Sequence, residues 1–381
     1  MKRVFSQAAV AMLIMAAGLW AQDKPKDKPD DKKPTMAERF DSIVKDWERM
    51  RDVLGKDLDA EFGKAKTDEE REKLMEQADT KFLALTKPFT DKALALAKED
   101  LKDLAAVNCL LFAIMAGRNE EAAAAFVDSQ METVQFPEAC GVLAARGADN
   151  PAAVKVLQLV VDKAKNKDLK GNACIGLAQM YYQRSEEPKV AADPKKVAES
   201  LKQAEEMAEK VKKEYADVKS PVGELGKVAD KVLFEIRNLA IGKSAPEVVS
   251  KDLNDKEVKL SSLNGNVVVL DIWATWCGPC RQMIPHEREL VEKLKGKPFV
   301  FVSISADDEK KTLTDFLEKQ KMPWTHWWEG RKETGILKDW NVRFFPTIYI
   351  LDSKGVIRYK NVRGKKMDEA VEKLLAEMGK S

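Results

Sequence analysis

The sequence predicts a multidomain chain in which an all-α domain of paired helices precedes an α/β domain. Three observations predict it. A long stretch from Met36 to Leu239 is rich in Ala, Leu, Lys and Glu with apolar residues at helical spacing; the texture changes at Ile241-Gly-Lys-Ser-Ala-Pro246 to β-branched runs separated by turn residues; and a buried-strand pattern then runs into a Cys-x-x-Cys followed by an amphipathic helix. A length of 381 residues accommodates two or three folding units at roughly 150 residues each, with enough chain to bury a sizeable core.

Composition removes several function classes. The 65 Lys+Arg against 63 Asp+Glu leave a net charge of +2, which provides no field to draw in nucleic acid. Five cysteines in 381 residues are too few for a disulfide scaffold, and an odd number cannot all pair within one chain. His286 and His326, the two histidines of the sequence, are little material for a metal site. No cofactor or metal is expected.

The first element, residues 1–21, reads as an export signal. Lys2 and Arg3 precede an apolar run of 13 residues, Ala8 to Trp20, with small residues at Ala16, Ala17, Gly18 and Ala21. The run is shorter than the about 17 to 25 residues that span a bilayer, so cleavage near Ala21 is favoured over a retained membrane anchor. No cysteine lies in the segment, which excludes a lipid-modified form. Residues 22–35 follow as a charged linker: from Gln22 to Pro34 the tract QDKPKDKPDDKKP has no apolar side chain except its prolines, so it cannot bury enough surface to offset its chain entropy.

Residues 36–240 are read as the all-helical domain. Phe40, Ile43, Val44 and Trp47 near its start, and Leu201, Ala204, Ala208 and Val211 near its end, form apolar stripes on charged helices. Its three cysteines mark a weak repeat: Cys109-Leu-Leu-Phe112-Ala113, Cys140-Gly-Val-Leu143-Ala144 and Cys174-Ile-Gly-Leu177-Ala178, at spacings of 31 and 34 residues. Each block precedes a turn-like stretch (Gly117-Arg-Asn119, Gly147 to Pro151, Ser185-Glu-Glu-Pro188) and then a second amphipathic helix. In period, and in the segment Cys174 to Tyr182, this resembles tetratricopeptide-type repeats, without their Trp and Pro signatures; a helical-pair solenoid or a bundle fits the pattern. Equivalent positions on stacked units lie about 8–10 Å or more apart, beyond the about 7 Å that a disulfide tolerates. Cys109, Cys140 and Cys174 are therefore expected to be buried, reduced and unbridged. Such an array commonly offers a concave surface to a protein partner.

Residues 241–381 carry the chemistry. Val267-Val-Val-Leu-Asp-Ile272 is a buried strand interrupted by one acid, and it leads through Trp273-Ala-Thr-Trp276 to Cys277-Gly278-Pro279-Cys280; an amphipathic helix from Gln282 to about Lys295, broken or bent at Pro285, comes next. Strand, Cys-x-x-Cys, helix is the context in which the motif means redox. A helix beginning near Cys277 points unpaired N–H groups and a positive dipole end at its sulfur, which favours thiolate. Cys277 is thus the nucleophile. Cys280, one turn on, is the resolving thiol, and the two complete an exchange without metal. Pro279 fits a first helical turn, where its missing N–H costs nothing. Asp271 in an apolar strand pays for desolvation unless neutral or partnered, and it reads as the proton acceptor for Cys280 rather than as a tolerated polar residue.

The stretch Asp271-Ile-Trp-Ala-Thr-Trp-Cys-Gly-Pro-Cys280, with Pro285 five residues on, resembles the thioredoxin superfamily, and most closely its exported branch of TlpA/ResA-like thiol–disulfide oxidoreductases. The resemblance spans about Ile241 to Met378. It implies a thioredoxin fold, Asp271 as the family's buried acid, and Trp273 and Trp276 as its flanking tryptophans. It makes Phe345-Pro346-Thr347 the loop whose proline is cis and faces the cysteines, with Trp276, Gly278, Pro279, Phe345 and Pro346 as the substrate surface. Phe345, a bulky residue before that proline, narrows what can dock.

Two features favour the exported branch. Ile241 to Pro246 with Leu260 to Gly265 resembles its N-terminal hairpin extension. Between Cys280 and Pro346 there is one helix–strand unit more than in thioredoxin: a strand at Phe299–Ser305, a helix over Lys310–Lys319, a strand near Trp324–Trp328 and a helix around Gly335–Trp340. Gly278-Pro279 stands where many members carry an acid, which implies a potential nearer thioredoxin's reducing end. His286 is expected at a surface or boundary, and His326 in packing with Trp324, Trp327 and Trp328.

The expected activity is thiol–disulfide exchange or reduction on disulfide-containing envelope proteins, in the periplasm or cell envelope, with a membrane thiol transporter as electron donor by resemblance. A peroxiredoxin-like peroxidase is the rival enzyme. Against it, Thr275 stands two residues before Cys277 where the peroxidatic motif needs three, and Cys280 is an unusual neighbour. A partner-binding helical protein with a vestigial redox domain is the non-enzyme rival, and Cys277, Cys280, Asp271 and Pro346 all being intact argues against it.

Overall fold

The helices start where side chains can satisfy their first backbone N–H groups. In the computed structural model, which describes residues 33–65, 68–191, 193–221, 223–330 and 335–379, Thr35 opens α1 (Met36–Lys64) with a capping box: its hydroxyl accepts from Glu38 N–H while the Glu38 carboxylate accepts from Thr35 N–H. Residues 1–21, expected as an export signal, and residues 22–32 of the expected linker lie outside the described residues. α2 (Asp68–Ala97) returns along α1. Asp103 caps α3 (Leu104–Gly117) and Asn119 caps α4 (Glu120–Gln130). α5 (Phe136–Arg146) then leads to α6 (Pro151–Lys163).

Asn150 does two jobs at that last junction. Its side-chain oxygen accepts from Ala152 and Ala153 N–H at the start of α6, while its amide donates to the Ile114 carbonyl of α3 at 2.9 Å, in a buried position. A cap on one pair is thereby bonded to the preceding pair. α7 (Lys167–Ser185), α8 (Pro188–Ala191) and α9 (Pro194–Glu214) complete the series. The turn-like stretches of the weak repeat fall between helices as expected, and α4 packs on α6. Gly176 of α7 marks a close approach to α5: a Cβ there would lie 2.9 Å from the Ala144 Cβ. Cys109, Cys140 and Cys174 are buried and unbridged. Burial pushes their thiols up, to about 12, about 12 and about 11.

A short hairpin, β1 (Lys219–Ser220) with β2 (Gly223–Glu224), precedes α10 (Leu225–Phe234), whose last turns widen into a π-helical segment, Glu235–Leu239. The chain divides into two compact units, one reaching Arg184 and including Glu206–Val228, the other made of Ser185–Glu205 and the chain from Ala229 onward.

The second unit is built on a seven-stranded sheet in the order β4-β3-β7-β6-β5-β8-β9. Its members are β3 (Val249–Asp252), β4 (Glu257–Lys259), β5 (Val267–Trp273), β6 (Phe299–Ser305), β7 (Thr325–Trp328), β8 (Thr347–Leu351) and β9 (Ile357–Lys360). β5, β6 and β7 run parallel, joined through α11 (Gly278–Lys293) and α12 (Lys310–Lys319); β8, β9 and the β3–β4 hairpin are antiparallel. α13 (Ile336–Asp339) and α14 (Lys365–Met378) follow. This is a thioredoxin-like α/β domain after a helical region, with the extra helix–strand unit in place; an N-terminal hairpin is present, but β3 and β4 form it between the two segments expected to (241–246 and 260–265), and Leu260–Leu263 is a 3-10 turn. α11 continues through Pro285 without interruption and starts at Gly278, so the proline does not break it as its chemistry suggested.

β5 is buried along its whole length. Val268, Leu270 and Ile272 pack with Val302, Ile304, Trp327 and Trp340 on one face, while Val267 and Val269 pack beneath Leu290 of α11, Leu294 at its C-cap and the apolar side of α14 on the other. Among the described residues, no helix is long and apolar enough to cross a membrane.

Candidate active site

Asp271 follows Val269 by two residues in β5 and so shares the face that α11 covers, since successive side chains of a strand alternate. It is 3% exposed and its Oδ1 has no hydrogen-bond partner. Burial raises its pKa from the usual carboxylate range to about 7, against a lowering by the Arg363 guanidinium. The core-facing stripe of α11 is Cys280, Ile284, Glu287 and Leu290, so a second acid stands in the same layer. Glu287 is raised to about 9 by burial first and the Asp271 charge second.

The turn from β5 to α11 is held by Asp307. Its buried carboxylate accepts from Thr275 N–H at 3.2 Å, from the Thr275 hydroxyl at 2.8 Å and from the Ser305 hydroxyl at 2.7 Å. That fixes Thr275, two residues before Cys277. Cys277 is the N-cap of α11, and its Sγ accepts the N–H of Cys280 at 3.2 Å. The two sulfurs are bonded as a disulfide with Cα atoms 5.3 Å apart. A sulfur in this position receives the helix N-terminal dipole and a backbone donor, both of which favour thiolate when the bond is reduced. Gly278 and Pro279 form the first turn, and nothing lies within 4 Å of where a Gly278 side chain would begin.

The Phe345–Pro346 peptide is cis. Phe345 packs against the cluster containing Cys277 and Cys280 and meets Trp276 edge-on, ring centroids 5.6 Å apart. Trp276, the residue before Cys277, is 54% exposed and so leaves an accessible aromatic ring beside the disulfide; Phe344, on the loop before β8, is 53% exposed. Three fastenings hold the loop. The Thr347 hydroxyl donates to the Phe344 carbonyl at 2.6 Å, Arg363 Nη2 donates to the Pro346 carbonyl at 3.0 Å, and both Asn341 and Arg343 donate to the buried Glu235 carboxylate in the π-helical segment.

All eight residues singled out in the sequence (Asp271, Trp276, Cys277, Gly278, Pro279, Cys280, Phe345 and Pro346) therefore lie on β5, the turn after it, the start of α11, or the loop before β8. His286 is half-buried with Nε2 2.9 Å from Asp368, and His326 is buried with Nε2 against the Met322 carbonyl and its ring beside Trp324. Glu287, Asp307, Arg363, Phe344 and Glu235 were not anticipated. Glu287 had a readable signal, an acid on the apolar stripe seven residues after Cys280; the others had none.

Two expectations follow from this geometry. Removing the Glu235 carboxylate (Glu235→Ala) frees Asn341 and Arg343 and loosens the loop that carries Phe344 and Phe345. KM for a protein disulfide then rises about tenfold, equivalent to about 1.4 kcal/mol, while reduction of a small aromatic disulfide stays within about twofold; steady-state kinetics with both substrates checks it.

The second expectation concerns pH. Asp271 and Glu287 bind protons in the folded state that the unfolded chain has released, from the ordinary values of 3.8 and 4.5 up to about 7 and about 9. Their contribution to stability is fully present below those ordinary values and is lost as pH rises through the folded ones. Glu287→Leu is accordingly expected to stabilise the fold at pH 8 by more than about 1 kcal/mol, roughly 3 °C in Tm, with the gain shrinking toward pH 4 in thermal scans.

The Redoxin family model matches residues 240–375. A thiol-disulfide oxidoreductase ResA of Bacillus cereus is 31% identical over 134 residues, covering 35% of this chain and 76% of the relative. Thioredoxin-like protein YneN of Bacillus subtilis is 34% identical over 119 residues, covering 31% and 68%. Among solved structures, the thioredoxin domain of a thiol-disulfide oxidoreductase from Bacteroides vulgatus is 27% identical, with TM-score 0.34, covering 36% of this chain and 99% of that one. A putative thiol:disulfide interchange protein DsbE from Chlorobium tepidum is 30% identical, with TM-score 0.32, covering 36% and 96%. The site, the sheet that carries it and the two sequence relatives agree: the chain belongs to the redoxin-domain, ResA/TlpA-like family of thiol–disulfide oxidoreductases and is a thioredoxin-like enzyme.

Proposed function

We propose that the enzyme acts outside the cytoplasm, in the periplasm or cell envelope, exchanging or reducing disulfides of other envelope proteins through Cys277-Gly-Pro-Cys280. The observation that carries the reading is the Cys277 sulfur at the N-terminus of α11, taking a backbone N–H beside the aromatic pair of Trp276 and Phe345.

In the reduced enzyme the Cys277 thiolate attacks a substrate disulfide; a Cys277–substrate disulfide forms and one substrate thiolate leaves. Cys280 then gives its proton to the Asp271 carboxylate and attacks Cys277 Sγ. The Cys277–Cys280 bond forms, the second substrate thiolate leaves, and two electrons have passed from enzyme to substrate. Asp271 suits the proton step because burial has brought its pKa close to neutrality. Phe345 and Pro346, with Trp276, Gly278 and Pro279, receive an extended segment of the partner across the disulfide.

The leader at residues 1–21 directs export, by cleavage or as an uncleaved anchor, and a membrane thiol transporter returns electrons. The stacked helix pairs of α3 to α7 serve a protein partner. A Cys280→Ser variant tests the reading, because without a resolving thiol mixed disulfides accumulate on Cys277. Envelope proteins released from the variant by dithiol are the expected result. Recovery of no partner above background, together with no insulin reduction by the wild type, would overturn it.

A further inference from the structure

Glu287 is a buried acid with no part in the exchange just described. On α11 it occupies the stripe that faces the sheet, between Ile284 and Leu290, where a leucine or methionine would bury apolar surface with no electrostatic penalty. It is 2% exposed and its Oε1 has no hydrogen-bond partner. The face of β5 beneath this stripe carries Asp271, whose Oδ1 is also without a partner.

Two orphaned carboxyl oxygens in one dry layer call for a reason beyond packing. Two full negative charges there would repel strongly at low dielectric. The charged groups around the pair decide which member ionises. Arg363, from the loop after β9, acts on Asp271 and favours its charged form. The chain neighbours of Glu287 are engaged elsewhere, His286 with Asp368 of α14 and Arg288 with the Lys321 carbonyl.

We infer that Glu287 is a positioning residue that works through Asp271: it is the proton-holding half of a carboxyl pair bearing a single negative charge, and it leaves that charge on Asp271 for the Cys280 proton. The inference rests on the reading of Asp271 as acceptor. During the resolving step the Cys280 proton passes to Asp271, the Cys277–Cys280 bond forms as the Cys277–substrate bond breaks, and the pair is then neutral, with a proton on each carboxyl. Asp271 returns its proton to solvent before the next cycle while Glu287 keeps its own. In the oxidised state the same arrangement spares the fold a second buried charge.

A pair of this kind titrates in two steps that belong to the pair. The test is the pH profile, from pH 5 to 10, of the resolving rate in single-turnover reduction of a protein disulfide by the prereduced full chain, followed by tryptophan fluorescence. The wild type is expected to show inflections near pH 7 and pH 9. Glu287→Gln loses the upper of these and keeps the lower. Asp271→Asn loses the lower, and its remaining inflection moves down by about one unit or more, because the charge that opposed Glu287 ionisation is gone.

A Glu287→Gln profile superimposable on the wild type, beside an altered Asp271→Asn profile, overturns the pair while leaving Asp271 as acceptor. An Asp271→Asn profile equal to the wild type overturns the acceptor reading and the pair with it. If Glu287→Gln fails to fold, carboxyl ¹³C NMR of the wild type and Asp271→Asn decides: a Glu287 resonance titrating above pH 8 and moving down in Asp271→Asn supports the pair, and one titrating in the ordinary glutamate range overturns it.

Discussion

Cys277→Ser ends turnover, with the rate of protein-disulfide reduction falling by at least about a thousandfold. The helix N-terminus and the Cys280 N–H that stabilise a thiolate at this position shift an ionisation by a few units at most, which brings a thiol into the neutral range but leaves a hydroxyl protonated. Cys280→Ser behaves differently, because the first attack needs only Cys277. It releases one equivalent of substrate thiol and then stops as a mixed disulfide. A rapid-quench thiol count on the two prereduced variants separates them. A burst from Cys277→Ser and none from Cys280→Ser would reverse the assignment of the two sulfurs.

Trp47→Ala carries the largest expected loss of stability in the helical unit. Trp47 is 1% exposed on α1, its Nε1 donates to the Thr86 hydroxyl of α2 at 3.1 Å, and its ring lies edge-on to Phe82 of α2 and to Phe112 of α3 at 6.3 and 5.3 Å. One side chain therefore joins three helices. Truncation removes the packing of the largest residue type, at about 3–5 kcal/mol, and leaves a buried hydroxyl without its donor, at about 1 kcal/mol. Chemical denaturation of the full chain followed by helical circular dichroism measures the shift. Disulfide reduction in the absence of denaturant is expected to remain within about twofold of wild type, since these partners of the indole all lie on α2 and α3. A change of less than about 1 kcal/mol would mean that α1, α2 and α3 do not share one cooperative core.

Much of the catalytic domain was legible because its strands are short β-branched runs bounded by turn residues. β6 at Phe299–Ser305 and α12 at Lys310–Lys319 fall where the pattern put them. Asp271 stood out because a lone acid in Val-Val-Val-Leu-Asp-Ile has no packing role. Glu287 did not, although the stripe Cys280, Ile284, Glu287, Leu290 is visible in the sequence: helices tolerate a polar residue at the margin of an apolar face, and burial alone separates a margin from a core position. The unbroken passage of α11 through Pro285 also departs from the local signal, since the proline's lost N–H bond is outweighed by the burial of the helix against β5.

The fastening of the cis-proline loop was beyond reach for another reason. Glu235 meets Asn341 and Arg343 across more than a hundred residues of chain, and no spacing rule connects positions that far apart. In the helical region the turns between helices were readable, whereas the bond from Asn150 to Ile114 depends on a packing order that the repeat period does not specify.

Cys109, Cys140 and Cys174, sealed in the helical array with thiols raised to about 12, about 12 and about 11, give this enzyme an internal insulation. Essentially none of their sulfur is nucleophilic at neutral pH, so electrons delivered to Cys277–Cys280 have no side branch within the chain. An odd cysteine count becomes harmless even in an oxidising medium, and the helical array doubles as a redox-silent chassis for a single two-electron circuit.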